Sequence, residues 1–521
     1  MNRSRILGRA AAGLFAGVVA GLAMLVMMLV LRSVLGISPP AEMIPDRFAP
    51  TLTIEQFFDL IGQFGGYNEL KQFGVGSITV GQLVVGALLG LAFGLVAGSP
   101  SRGRLLGQRR STLIVGVAIL LLWVVTLTVV WPVLDTSFIG LPPDVAAPVT
   151  ALGLLVSYAT YGVVLVLAYQ QLVSSPSPKG RDAAAPNIGR RAMLVTGIGA
   201  ALAVASGALG RRLWTLASFA YDGTRFWGPL TPITPNNLFY VVTKNVVDPG
   251  VEQSVWRLEI GGHVQRPHTY TFSEITSLAR VVQETTLMCI SNGVGDALMS
   301  NAQWTGVPLA TLLEAAGPRP GGVEALLRGA DGYTDTIPLE KALDPATLVV
   351  FEMNGDPLPR IHGYPVRLIV PGMYGEKNVK WVTSIELVTQ DVKGFYEQQG
   401  WGPDFVIPIR SRFYEPDGSQ PARVGEPVAM RGIVFGGDRG VSRAEVSLDG
   451  GQSWRKAPLE YQGSPYAWAI WNFQFTPEIA GEYYLAVRGY DAAGTPQPSE
   501  DRGIVPTGAR GYHHITVNVV A

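Results

Sequence analysis

Five long apolar runs fall within the first 210 residues of this 521-residue chain, at about 10–34, 79–97, 112–133, 150–172 and 192–209. An apolar helix of about 20 residues spans the hydrocarbon of a bilayer. A chain that opens this way cannot bury all its apolar surface in one soluble globule. Residues 1–210 are therefore expected to form a five-helix transmembrane region, and the remainder a globular region on one side of it.

Charge orients the helices. Arg3 and Arg5 precede the first run, Arg102, Arg104, Arg109 and Arg110 fill the second connection, and Lys179, Arg181, Arg190 and Arg191 fill the fourth. The connections at 36–76 and 134–149 hold fewer cations and more carboxylates near the helices. Positive charge marks cytoplasmic loops. The N-terminus is thus expected inside and everything after Gly210 outside, as a multi-pass cell-membrane protein with an extracytoplasmic domain.

Gly13, Gly17 and Gly21, and again Gly86, Gly90, Gly94 and Gly98, recur at every fourth position. Such faces let helix backbones approach closely in lipid. The runs contain no Asp, Glu, Lys or His, and Arg32 stands near an end where it can snorkel. All five histidines (His263, His268, His362, His513, His514) lie beyond the runs. The bundle therefore has no histidine pair for a haem. No haem is expected in this chain, and an external carrier, a cytochrome or a quinone-linked protein, would move the electrons. "GRRAMLVTGIGAALAVASGALG" from Gly189 fits both a twin-arginine export signal and a positively charged cytoplasmic flank.

In the globular region, residues 211–235 are rich in turn formers and aromatics and read as a connecting segment. Strand-like "SVWRLEIGGHV", "ATLVVFEMNG" and "PVRLIVPG", with a short helix in "VPLATLLEAAG", predict an α+β domain over 236–405. Over 406–521, short alternating strands predict an immunoglobulin-like β-sandwich, with a hairpin turn at Asp449, Gly450 and Gly451. His513 and His514 are adjacent on a strand, so they point to opposite faces and cannot chelate together.

Lysine plus arginine and aspartate plus glutamate number 40 each. No net field recruits nucleic acid. The single cysteine, Cys289, excludes an intrachain disulfide. It is either a small buried hydrophobe or a functional thiol. No G-x-S-x-G elbow, phosphate-binding P-loop, H-E-x-x-H helix or C-x-x-C pair is present.

The motifs "LMCISN", "NAQWTGVPLATLLEAAG", "DGYTDTIPLEKAL", "FEMNGDPLPRIHGYPVRLIVPGMYGEKNVKW" and "EVSLDGGQSW" follow one another in an order that resembles the sulfite oxidase family of molybdopterin-dependent oxidoreductases. The resemblance runs from about Thr231 to Ala521. It implies that Cys289 ligates molybdenum, a role suited to a soft thiolate. It implies that Tyr333 is the tyrosine beside the metal. It places Tyr240, Val241, Val242, Thr243, Lys244, Asn245, Asp331, His362, Arg367, Asn378, Val379 and Lys380 around the phosphate-bearing pterin. It makes the sandwich a dimerisation-type domain and leaves a homodimer open. Taken singly, Arg367 also fits a strand-edge charge, His362 a turn residue and Lys380 a solvated strand end.

One departure bears on substrate. Sulfite oxidases of animals and plants carry an arginine about five residues after the ligand cysteine, whereas here Ile290, Ser291, Asn292, Gly293 and Val294 follow. The arginine of the first pterin segment is replaced by Thr243 or Lys244. A weakly charged pocket suits a neutral S-oxide or N-oxide, as in the bacterial methionine sulfoxide reductase branch. The expected function is oxygen-atom transfer with a small oxygen-donor or oxygen-acceptor substrate. A sulfite dehydrogenase and a non-catalytic envelope binding protein that retains the fold are the alternatives.

Overall fold

The structure is a computed structural model and describes residues 3–97, 104–130, 143–173, 190–226 and 228–521. Arg102, Lys179 and Arg181, which orient the second and fourth connections in the sequence, lie outside the described residues.

Among the described residues, five helices are long and apolar enough to cross a membrane: α1 (Arg3–Leu35), α4 (Tyr67–Val96), α5 (Arg104–Val125, continued by a π-turn at Thr126–Val130), α6 (Pro143–Val173) and α7 (Arg190–Leu216). Between α1 and α4 lie two shorter helices, α2 (Pro40–Phe48) and α3 (Ile54–Phe64). The glycine faces meet as their spacing predicts. A Cβ added at Gly13 would run into the Gly90 carbonyl, and one at Gly94 into the Arg9 carbonyl.

All five helices begin before their apolar runs, and two boundaries bear on the junction with the β-rich body. Helix α7 continues to Leu216, into the predicted connecting segment. Helix α4 begins at Tyr67, not near 79. Its 30 residues extend about 45 Å, while the hydrocarbon is about 30 Å thick. The polar first turns of α4 therefore project beyond the apolar span. Arg32 departs from expectation too: it does not snorkel but is buried, with its Nε donating to Glu42 (3.1 Å) and its Nη2 to the Val247 carbonyl (2.5 Å). The helix ends are docked directly onto the β-rich body.

That body opens with β1 (Arg257–Gly262), β2 (His268–Thr271), β3 (Val281–Met288), β4 (Met299–Pro308), β5 (Glu324–Gly329), β6 (Thr334–Pro338), β7 (Leu348–Met353), β8 (Asp356–Pro357), β9 (Arg367–Ile369) and β10 (Val382–Val388). One sheet runs β2-β1-β10-β5-β6 and a second β3-β4-β7-β8, with β9 on β7. The predicted short helix is present at Leu309–Ala316, ending at left-handed Gly317. A shared core fills the space around these sheets, from Trp256, Leu258 and Ile260 through Leu312 to Trp381 and Ile385.

The last part is a two-sheet sandwich built from β11 (Arg410–Glu415), β12 (Ala422–Arg423), β13 (Val428–Phe435), β14 (Arg443–Ser447), β15 (Arg455–Ala457), β16 (Leu459–Gln462), β17 (Ala469–Phe475), β18 (Gly481–Tyr490) and β19 (His513–Val520). The sheets run β11-β13-β17-β16 and β12-β19-β18-β14-β15. Their inner faces bury Phe413, Met430, Val446, Trp471, Leu485 and Val517 together. His513 faces inward and accepts from the Phe413 N–H (3.0 Å), while His514 is exposed, as strand alternation requires.

Candidate active site

Cys289 is the first residue after β3. Its N–H donates to the Leu298 carbonyl (3.0 Å), and its own carbonyl accepts from the Asn292 N–H (3.1 Å), so the strand passes straight into a tight loop. The sandwich holds this loop from the far side. Arg410, on β11, donates to the carbonyls of Asn292 (3.2 Å) and Gly293 (2.8 Å), and Arg412 to that of Asp296 (2.7 Å). Gly295 has φ +80°, and a Cβ there would strike the His513 ring. Glycine is required at that point on both counts.

The thiol opens into a cavity of about 510 Å³. Every residue singled out by the resemblance lines it except Asn245. Asn245 stands behind the wall, where its Nδ2 donates to Asp331 Oδ2 (2.9 Å). One end of the cavity is cationic. Arg367 is buried, donating to the carbonyls of His362 (3.0 Å) and Asn378 (3.0 Å), while its Nε has no partner. Burial holds its pKa down at about 10, so it remains charged at neutral pH. Lys380 Nζ donates to the Ile361 carbonyl (3.2 Å), and burial lowers its pKa as well. His362 is held neutral, its pKa pushed to about 3 by burial, with Nε2 2.8 Å from the Asn236 carbonyl. Cations whose hydrogen bonds go to carbonyls, with no carboxylate in direct contact, call for an anion, and a terminal phosphate on a bound pterin supplies one. The residues present fit the cofactor at this end.

The other end is different. Burial pushes the Cys289 thiol up to about 11, and its Sγ lies 3.1 Å from Ser291 Oγ. A protonated thiol is the expected form without metal, and a bound cation would displace that proton. Beside it stands Glu376, which sequence reasoning missed. Both its carboxyl oxygens are buried with no side-chain partner and no well-aligned donor; the backbone N–H groups of Ile290 and Glu376 favour its charged form, but burial outweighs them and pushes its pKa up to about 8. Tyr333 is buried, and its hydroxyl donates to Asp335 Oδ2 (2.7 Å) and approaches the Glu376 carbonyl (3.3 Å). Burial raises the Asp335 carboxyl against the pull of Lys377, whose Nζ sits 2.6 Å away. The cations near the thiol are thus already engaged: Lys377 with Asp335 and Glu397, and Arg225 with Asp296.

The wall also contains side chains from the helical region: Phe57, Phe58 and Ile61 of α3, and Tyr67, Asn68 and Glu69 of α4. Lys71, one turn further along α4, is buried with its Nζ 2.6 Å from Asp222 Oδ2, an ionic contact rather than an aligned hydrogen bond. It also donates to Ser218 Oγ (2.9 Å) and to the Asn245 (3.1 Å) and Thr243 (3.2 Å) carbonyls. Asp222 in turn accepts the Thr243 N–H (2.9 Å).

Comparison with known proteins agrees with this geometry. Residues 245–396 match the family described as the oxidoreductase molybdopterin binding domain, and residues 405–519 the Mo-co oxidoreductase dimerisation domain. Sulfite oxidase of Gallus gallus is 30% identical over 315 residues, covering 51% of this chain and 68% of that protein. The chain belongs to the sulfite oxidase family. Within it, the mitochondrial sulfite oxidase of Drosophila melanogaster is 29% identical over 345 residues, 55% of this chain and 59% of its own length. The chain thus spans about three fifths of such sulfite oxidase relatives. Among solved structures, the sulfane dehydrogenase SoxCD of Paracoccus pantotrophus aligns with a TM-score of 0.50 and 25% identity, over 57% of this chain and 85% of that one. Membership of the sulfite oxidase family carries the molybdenum–molybdopterin cofactor with it.

Proposed function

We propose that the protein is a membrane-anchored, extracytoplasmic oxidoreductase that reduces neutral S-oxides or N-oxides, with electrons from a separate carrier. One observation carries the choice of substrate: the thiol end of the cavity offers a buried carboxyl with no cation on it, Glu376, and cations already paired to other carboxylates. A compact dianion such as sulfite needs uncommitted positive charge. A neutral oxide does not.

Cys289 would ligate the molybdenum, and Lys244, Arg367 and Lys380 would hold the pterin phosphate, with Asp331, His362, Asn378 and the 240–245 segment shaping its cradle. When bound, the group supplies two-electron oxygen-atom transfer. Reduction of an S-oxide to a sulfide and water consumes two electrons and two protons. Glu376, raised to about 8, holds a proton at neutral pH where it can pass to the departing oxygen. Tyr333 keeps its hydroxyl proton on Asp335 and would offer the substrate side its ring and phenol oxygen.

Membrane crossing with the body outside is supported by the five apolar helices and by Arg190 and Arg191, which open α7 at the end remote from the body. That pair suits both cytoplasmic retention and an export signal. The sandwich is taken as an immunoglobulin-like dimerisation module, supported by the matched description. Sulfite dehydrogenase is the second reading, favoured by the sulfite oxidases among the relatives. A non-catalytic role has less support, because the thiol and the phosphate-side cations are kept together around one cavity. The test is turnover by molybdenum-loaded full-length protein. Reduction of S-oxides with a dye donor, and poor sulfite oxidation with a dye acceptor, are expected; efficient sulfite oxidation at low concentration would overturn the assignment.

A further inference from the structure

The helices at the membrane end are more than an anchor. Helix α3 starts at a capping box, in which Thr53 Oγ1 accepts from the Gln56 N–H and the Gln56 side chain from the Thr53 N–H, and it stops at left-handed Gly65. Gly66 then turns the chain into α4. This hairpin is fastened at three points: Ile54 is buried in the core of the β-rich body, Lys71 pairs with Asp222, and Asn68 Nδ2 donates to the Asp222 carbonyl (2.8 Å). Between the fastenings Phe57, Phe58 and Tyr67 are only half-buried and line the cavity. Phe57 packs edge-on against Tyr67 (5.9 Å between centroids), and Phe58 against Trp401 (5.8 Å).

The hairpin is bonded through Lys71 to the Thr243 and Asn245 carbonyls, and its cavity face also reaches the reacting end. Tyr396 is in electrostatic reach of Tyr67, Cys289 and Glu376 alike, and its ring lies 5.7 Å from that of Tyr333. Asn68 Oδ1 is buried without a partner, an acceptor that a bound molecule's N–H or O–H would satisfy. Because its Nδ2 already faces two carbonyls, that amide orientation is consistent with its surroundings.

We propose that the α3–α4 hairpin is the substrate lid of the oxidoreductase, and that its Phe57, Phe58, Ile61 and Tyr67 wall selects an oxide carrying an aryl-sized apolar group. The identity of the reacting group rests on the S-oxide assignment above; the apolar preference rests on the wall. A small polar oxide would leave these faces wet, whereas an aryl group removes them from water. The helical region thereby contributes a wall of the substrate site as well as a tether.

Two measurements on detergent-solubilised, molybdenum-verified full-length protein test this. The first is the ratio of kcat/KM for phenyl methyl sulfoxide to that for dimethyl sulfoxide. It should favour the aryl compound by about tenfold or more, and should fall by a similar factor in the Phe57→Ala/Ile61→Ala double variant. Phe73→Ala, on the same hairpin but 56% exposed and outside the cavity, should leave it unchanged. The second is amide exchange across residues 54–71 with phenyl methyl sulfone, a binding probe that needs no turnover. Protection in the parent and its loss in the double variant support the lid. No aryl preference and no protection overturn it, even if dimethyl sulfoxide is reduced and the S-oxide assignment stands. Protection without reduction of any S-oxide keeps the lid and removes that assignment.

Discussion

The two ends of the cavity are built on opposite principles. The phosphate end gathers Arg367 and Lys380 against backbone carbonyls, with no carboxylate in direct contact with either. The thiol end leaves a carboxyl unanswered, engages its cations, and is closed by aromatics from the helical region. On the reading proposed above, one end retains an anion and the other admits something neutral, and the helical region walls the second.

The strongest perturbation should be at the seam between lid and body. Lys71→Met leaves the Asp222 carboxylate buried and unpaired, which costs about 3–5 kcal/mol. Amide exchange in residues 54–71 should accelerate accordingly, and Asp222→Asn added to Lys71→Met should restore part of the protection. Next, Arg367→Met should lower pterin retention by roughly ten- to a hundredfold, the loss of one or two charge-assisted hydrogen bonds. It should leave the lid's exchange unaffected. Equal damage to both ends by either variant would erase the distinction between them.

An effect of the same order comes from acid. His362 and His513 are held neutral by burial, with pKa values near 3 and 4. Their folded values lie below the unfolded one, so their contribution is complete above about pH 6.5 and declines as pH falls. Each should cost about 1.4 kcal/mol per pH unit between pH 6.5 and its folded pKa. Glu376 acts in the opposite sense: its folded pKa of about 8 lies above the usual carboxyl value. Its contribution is complete below about pH 4.5 and is lost progressively as pH rises to 8. Glu376→Gln should therefore flatten the thermal-stability profile between about pH 4.5 and 8 while lowering turnover.

That the residues proposed for the phosphate end line one cavity was legible in the sequence because they sit in motifs that keep their order, and the glycine faces were legible because a four-residue period has one helical meaning. Arg32 and Lys71 were not. Each looks like a solvated charge beside an apolar run, and their burial is decided by Val247 and Asp222, far along the chain. Helix α3 did leave a local signal, Thr53 and Gln56 at capping-box spacing before a Gly65-Gly66 stop, inside a stretch that otherwise reads as a connection. Glu376, in "GEK", looks like an exposed loop residue. Only the packing of its neighbour Gly375 against Cys289 brings it to the metal end of the cavity.

The central claim is the bond between Cys289 and molybdenum. Molybdenum-edge X-ray absorption of the purified full-length protein, compared with Cys289→Ser of matched metal content or with its loss of metal, tests it most directly. The parent should hold about one molybdenum per chain with a thiolate among its sulfur neighbours, and the variant should lose one sulfur neighbour or the metal itself. An unchanged sulfur shell in a metal-replete variant would contradict the assignment.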